Sequence, residues 1–337
     1  MSVSWTRGAL GRLVVREVAY PGLLLGSLVL AWSLGAGRAG EGLAGGLAVS
    51  GSILLAGLVL LGLERLAPFS PRWRVPLGGR AQRVDALHTA STAVTALLVE
   101  AVAWGGLVAL GARAASALGA PLWPGGWPLA LQVALGLVVG EAGTYAVHRA
   151  CHATALGWRI HAMHHSSDRL NLLASGRNHP FNAALSYLTQ MGPLALLGAG
   201  GPVIALCAVF KAVNGLAQHA NVDTRSAWLG WVLATPELHR WHHALDLRAG
   251  NSNFGNNLIV WDLLLGTRHA PPGERPTDAV GVAGVRWPEG FLGQLATPFA
   301  YPRWVTPPGT LAAEVPCTSP PVMQRHAAGR SSPPSSS

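Results

Sequence analysis

A chain of 337 residues in which 50% are hydrophobic, only 12% are charged and the net charge is +9 carries about half the charge of an ordinary soluble domain, for which roughly 25% is usual. With a mean hydropathy of +0.33, this composition excludes a string of soluble domains and predicts one helical membrane domain with a tail. The positive charge requires no nucleic-acid partner, because the arginines stand where membrane topology puts them.

Four apolar segments come first, at approximately Ala19–Gly37, Leu43–Leu63, Leu87–Leu110 and Leu129–Val147. Each is close to the ~20 residues that a helix needs to cross a bilayer core. A further pair, approximately Ala183–Gly200 and Pro202–Leu216, is broken at Gly201-Pro202 and carries Lys211 in its short second member. It reads as a tight or partly embedded helical hairpin. Arg7, Arg12 and Arg16 precede the first segment, and Arg65, Arg72, Arg74, Arg80 and Arg83 lie between the second and third. The loops around Gly40 and Pro124 are poor in arginine. The positive-inside rule then puts the N-terminus and the Arg65–Arg83 loop in the cytoplasm, and counting crossings brings the end of the fourth helix at Val147 to the same side. A cleaved signal peptide over residues 15–38 is disfavoured by the second long apolar segment that follows it closely. Cys151, Cys207 and Cys317 show no CxxC spacing, so neither a disulfide nor a thiolate metal site is expected, and Cys151 reads as a small buried side chain.

Directly after the fourth segment the histidines begin. "HRACH" places His148 and His152 four residues apart, on one helical face, so that both rings can address a single ion. "HAMHH" supplies His161, His164 and His165, and "HRWHH" repeats the same spacing with His239, His242 and His243. His179 in "RNHP" and His219 in "QHAN" fall between the boxes. Ten imidazoles exceed what one tetrahedral ion can use and suit two ions with four or five nitrogen ligands each. A His-rich tract can also be an unstructured metal scavenger, but these motifs are spaced, repeated and embedded between helices. His88 reads as an interfacial polar residue at a helix end, and His269 and His326 as surface residues.

The order HxxxH, HxxHH, HxxHH on a multi-spanning chain resembles the fatty acid hydroxylase and sterol desaturase superfamily. The resemblance covers approximately residues 90–270. It includes "LASGRNHPFN" after the second box and "NFGNNLIVWDLLLGT", residues 253–267, after the last. It implies an all-α polytopic membrane helical bundle with a histidine-rich metal centre, which the positive-inside count places on the cytoplasmic side. It also implies an O2-dependent oxidoreductase with two iron ions, hydroxylating or desaturating a lipid such as a fatty acyl chain or sterol. Metal ligands under this reading are His148, His152, His161, His164, His165, His179, His219, His239, His242 and His243. The chain divides into N-terminal membrane helices and a basic loop (1–85), a catalytic membrane domain (86–270) and a C-terminal region (271–337), with a Pro/Ser-rich tail from Thr306 that is expected to be disordered.

Breaking an unactivated C–H bond requires an oxidant made from O2, which redox-active iron supplies and zinc does not. Imidazole binds iron, zinc and copper alike, so zinc remains possible as the bound metal. Two other readings therefore stay open: a membrane zinc hydrolase, since two-metal sites also activate water, and a non-enzymatic metal carrier, which the scarcity of polar residues along the helices disfavours. Glu141, Asp168, Asp223, Glu237, Asp246 and Asp262 are candidates to accept the free ring N–H of a ligand, with Asn221 and Asn257 as polar neighbours. Glu100, within the third apolar segment, is an intramembrane carboxylate and thus a functional candidate. Substrate would enter from the bilayer. Electrons would come from a separate ferredoxin- or cytochrome-type donor, because the chain has neither a haem motif nor a ferredoxin-type cysteine set.

Overall fold

The computed structural model describes residues 8–38, 43–76, 78–283, 285 and 287–300. The Pro/Ser-rich tail, Cys317, His326 and Arg7 lie outside these. Among the described residues there are helices and isolated bridges but no strand.

Among the described residues five helices are long and apolar enough to cross a membrane: α1 (Ala9–Ser33), α2 (Leu43–Leu66), α3 (Arg80–Leu118), α4 (Leu129–Ala153) and, after the shorter α5 (Ala155–His165) and α6 (Pro180–Leu197), α7 (Gly201–His219). α1 begins ten residues before the apolar segment that predicts it, and takes in Arg12 and Arg16. Long arginine stems can lie along apolar surface while their heads reach water. α3 runs for 39 residues, roughly 58 Å at 1.5 Å per residue, well beyond the ~30 Å hydrocarbon thickness.

The hairpin differs from its sequence reading at the joint. α6 ends on Gly198, which adopts a left-handed conformation at φ 78°, as glycine does readily at a helix C-terminus. Gly201-Pro202 does not break a helix but opens one. Proline fits the first turn of α7, where its missing N–H is no loss. α7 is itself long enough to span.

α6 packs between α3 and α4, and α7 packs on α1, α2 and α4. Where driving force is weak, small residues let membrane helices approach closely. A Cβ at Gly111 of α3 would lie 2.0 Å from Leu196 O, and one at Gly140 of α4 would lie 2.5 Å from Gln190 O. Large apolar side chains such as Leu54, Leu97, Val102 and Leu131 point outward, as lipid-facing positions should.

The ends of the bundle are unlike. At one end lie the C-termini of α2, α4 and α7, the N-termini of α3 and α6, the basic loop and all the histidine boxes. Arg225 N donates to Arg16 O, and Asp223 N donates to Ala67 O, which ties the N-terminal helices to that end. Beyond α7 the chain forms α8 (Pro236–His242) and short helical turns at Leu247–Gly250, Val260–Leu264 and Phe291–Leu295. His88 differs from its sequence reading. It is fully buried rather than interfacial, with Nε2 2.8 Å from Gln294 Oε1 and its ring against Phe291.

Candidate metal centre

Three short structural devices deliver the boxes. α4 ends at Ala153 and α5 begins at Ala155, with Thr154 between them accepting from Gly157 N at 3.1 Å as the N-cap. A Cβ at Gly157 would lie 2.6 Å from Cys151 Cα, so glycine is what lets α5 fold back against α4. α8 starts at Pro236 behind the N-cap Thr235, which accepts from Leu238 N.

The rings gather into two groups. His148, His152, His161, His165 and His242 form one, and His164, His219, His239 and His243 the other, with ligand nitrogens in each group all within 4.8 Å of one another. The partition crosses the boxes. In each HxxHH the first and last histidines, four apart, go to one group, and the middle one goes to the other. Helical geometry explains this: at 3.6 residues per turn the middle and last histidines of a box point about 100° apart. Thus α5 sends His161 and His165 to the five-histidine group and His164 across, while α8 sends His239 and His243 to the four-histidine group and His242 across. The groups adjoin, with the His165 and His243 rings stacked at 4.3 Å.

Ring nitrogens are set by what the opposite nitrogen touches. His148 Nδ1 donates to Phe254 O at 2.8 Å, His242 Nδ1 to Ser252 O at 2.7 Å, His219 Nδ1 to Gly215 O at 2.9 Å and His164 Nδ1 to Arg177 O at 3.3 Å. Carbonyls only accept, so each of these rings carries its proton on Nδ1 and presents the Nε2 lone pair inward. His161 Nδ1 faces Asn182 Oδ1 at 3.3 Å.

Inward, the Nε2 atoms crowd together. His148 and His161 lie 3.1 Å apart, as do His161 and His165. In the other group the separations are 3.3 Å for His164–His219, 3.1 Å for His219–His239 and 3.0 Å for His239–His243. Nitrogens bound to one shared ion at ~2.1 Å would stand about 3.0–3.4 Å apart. Both nitrogens of His152 and Nε2 of His242 are buried without a partner, a cost that a bound cation would remove. The donor set therefore fits metal ions. Burial, followed by the neighbouring imidazoles, pulls His161, His164, His165, His239 and His243 well below the usual histidine range, and burial followed by His148 does the same for His242. The shift favours the neutral form that metal ligation requires.

His179 stands outside both groups. Its Nδ1 accepts from Phe181 N at 3.2 Å, capping α6, and its Nε2 donates to Leu295 O at 3.2 Å.

The carboxylates do something other than accept ring protons. Glu141 receives the Asn256 and Asn257 main-chain N–H groups and Asn257 Nδ2, and Asp262 receives Phe254 N, Gly255 N and the Thr267 hydroxyl. Both buried carboxylates thus hold the loop whose Phe254 carbonyl orients His148. The motif "NFGNN" is explained by that loop. Asn253 sits at φ 53°, and a Cβ at Gly255 would lie 2.2 Å from Leu258 O. Asp223 pairs with Arg16 and Arg275, Asp168 pairs with Arg169 on the surface, Glu237 accepts from Ser226 N and Asp246 caps a helical turn. Asn221 bonds Ser70 through its side chain. Glu100 accepts from the Tyr187 hydroxyl at 2.9 Å.

Sequence reasoning missed Asn182, which touches His161, and Arg240. Arg240 is fully buried and reaches Ala220 O and Val222 O at 3.2 and 2.7 Å, tying the third box to the chain just past His219. A cation within a histidine box was the available signal.

Residues 133–267 match the family model "Fatty acid hydroxylase". Over 239 residues the chain is 41% identical to the ornithine lipid hydroxylase OlsE of Rhizobium tropici, covering 70% of this chain and 71% of that protein. It is 30% identical over 127 residues to the alkylglycerol monooxygenase of Xenopus tropicalis, covering 38% of this chain and 28% of that protein. It is 31% identical over 130 residues to that of Homo sapiens, covering 39% and 29%. No solved structure matches. With every histidine box inside or beside the matched residues, the chain belongs to the fatty acid hydroxylase family.

Proposed function

We propose that this chain is an integral-membrane oxygenase that hydroxylates a polar membrane lipid, with two iron ions held by the five- and four-histidine groups. The observation that supports it most is the sorting of nine buried histidines into two all-imidazole groups at the end of a bundle with five membrane-length helices. Iron, when bound, supplies O2 activation of a strength that C–H cleavage needs. The chain's own residues do the rest. The main-chain carbonyls of Phe254, Ser252, Gly215 and Arg177 fix ring orientation and tautomer. Burial of the rings excludes water from the reacting position, and the Glu141- and Asp262-held loop keeps His148 in place. One oxygen atom would enter the C–H bond and the other leave as water, with two electrons from a separate ferredoxin- or cytochrome-type donor and two protons from solvent.

The relatives are named for hydroxylation and mono-oxygenation of lipids, which favours hydroxylation over desaturation here. The similarity that runs along most of both chains is to an ornithine lipid hydroxylase, which favours an amino-acid-containing lipid as substrate. The basic loop and the histidines share one end of the bundle, which supports a metal centre on the cytoplasmic side. Expression in a host that makes the candidate lipid should add a species heavier by one oxygen atom to the lipid extract, and the purified protein should contain iron and consume O2. Zinc content without O2 uptake would overturn the proposal. Reporter fusions at Arg80 and Ser332 should report cytoplasm and one at Gly125 the opposite side.

A further inference from the structure

At the histidine-bearing end, where α2 meets α3, lies a cavity of about 280 Å³ with Glu64, Arg65, Arg74, Asp85, Leu173 and Asn221 in its lining. Its walls are shared with the metal centre. Asn221 follows His219 by two residues, and Asp85 Oδ1 accepts from Arg177 Nη1 at 2.7 Å, the same residue whose carbonyl orients His164. Its position at the C-terminus of a membrane-spanning helix is the depth at which lipid headgroups lie.

The charges in it are unequally engaged. Asp85 spends both oxygens, on Arg169 at 2.9 Å and Arg177 at 2.7 Å. Glu64, only 9% exposed, spends one: Oε1 accepts from Leu172 N at 2.7 Å and Asn221 N at 2.8 Å, while Oε2 accepts no hydrogen bond among the described residues. Glu64 lines the cavity, so its unengaged carboxylate oxygen is open to an ammonium entering there. Beside it, Arg74 uses Nη2 on Arg65 O at 3.2 Å, and the Arg65 guanidinium forms no hydrogen bond or ion pair among the described residues. Paired guanidiniums at a cavity rim suit a carboxylate.

We propose that this cavity seats the headgroup of the lipid substrate, and that the headgroup carries both an ammonium, taken by Glu64, and a carboxylate, taken by Arg65 and Arg74. The inference rests on the lipid-hydroxylase reading and adds to it the residues that choose the substrate. Anchored there, the headgroup leaves the remainder of the lipid free to extend toward the histidines next to the same walls.

Glu64→Gln tests this cleanly, because the amide oxygen still accepts from Leu172 and Asn221 while the charge is lost. The iron-loaded protein in detergent, supplied with O2 and reductant, is given a lipid bearing a free ammonium and a free carboxylate, its N-acetylated derivative and its methyl ester. In the wild type, either modification should raise KM at least tenfold with kcat little changed. Glu64→Gln should raise KM about tenfold for the parent lipid and leave that for the N-acetylated lipid unchanged. Arg65→Ala/Arg74→Ala, both exposed positions, should do the same with respect to the methyl ester. Iron content should stay at the wild-type level in every variant. Equal KM for all three lipids in the wild type would overturn the headgroup assignment while leaving hydroxylation standing. So would a Glu64→Gln effect that is the same on all three lipids or accompanied by iron loss, since that marks a purely structural carboxylate. Turnover of none of the lipids by the iron-loaded wild type would instead overturn the hydroxylase reading itself.

Discussion

The two histidine groups are built from the same boxes but supported differently. The four-histidine group leans on nearby backbone. His219 donates to Gly215 O one turn back on its own helix, and His164 donates to Arg177 O thirteen residues on. The five-histidine group leans on a single loop after α8, far in sequence from His148 and ten residues from His242. His148 reaches Phe254 O, 106 residues away, and His242 reaches Ser252 O. That loop is held in turn by Glu141 from within a membrane helix and by Asp262. The unpartnered ring nitrogens, on His152 and His242, are also in the five-histidine group. Both groups take rings from α8, and the five-histidine group requires in addition that the loop carrying Ser252 and Phe254 be folded against the bundle.

The sharpest way to break this contrast is His242→Ala. It removes one ring of the five-histidine group and leaves the helix intact, because alanine is the best helix former. Lipid oxidation should be abolished and bound metal should fall by about half, as ligand loss in one of two sites predicts. Full metal content with full activity would remove the group from catalysis.

Asp262→Ala comes next. It strips the acceptor from two main-chain N–H groups and a hydroxyl, so the loop loosens and His148 loses its carbonyl. Metal affinity of one site should fall about 10–100-fold, the usual cost of losing outer support, and that of the other should change little. Chelator competition checks it: the variant should release metal in two phases, the weakened site first, where the wild type releases it in one. Equal weakening of both phases would erase the distinction between the groups.

Acid should act on both. His161, His164, His165, His239, His242 and His243 are depressed in the folded protein, so the unfolded chain takes up protons first, near pH 6.5. The stability they contribute is complete above that pH and is lost as the pH falls toward their folded values. Metal release and loss of thermal stability should begin together below about pH 6.5; a protein indifferent from pH 7 to 5 would contradict the burial seen here.

A smaller effect is expected for Asn182→Ala, which removes one long contact to His161 at 3.3 Å; an activity loss of a few-fold, on the order of 1 kcal/mol, fits one modest hydrogen bond. His269→Ala should change nothing measurable in metal content or activity. Its ring lies edge-on to Trp241 at 5.2 Å, remote in role from both groups.

Much of the centre was legible because spacing along a helix is spacing in space. HxxHH fixes which faces the rings occupy, and nine of the ten proposed ligands converge. His179 was not separable by the same means. In the sequence it is one more histidine between boxes, and only the following Pro180 hints that its side chain caps a helix. Glu141 and Asp262 were recognised as important for the wrong contact: buried carboxylates near histidines suggest ring N–H acceptors, whereas here they hold backbone, which a sequence pattern does not display. His88 was misread because its cover, Phe291 and Gln294, lies some two hundred residues downstream. Four of the five membrane-length helices followed from hydropathy; α7 did not, because Lys211 shortens its apolar run and Gly198 and Pro202 set the helix ends through local backbone conformation.

The crosswise sorting of the boxes couples the two sites mechanically. α5 and α8 each carry rings for both groups, so an ion that fixes His161 and His165 also stops the rotation of the helix bearing His164, and the entropy of ordering that helix is spent once. Under the two-iron proposal, uptake of a second ion would then meet a prearranged set of rings. On a metal titration this is positive cooperativity, with half-loaded molecules scarce and a single steep saturation curve in place of two independent ones.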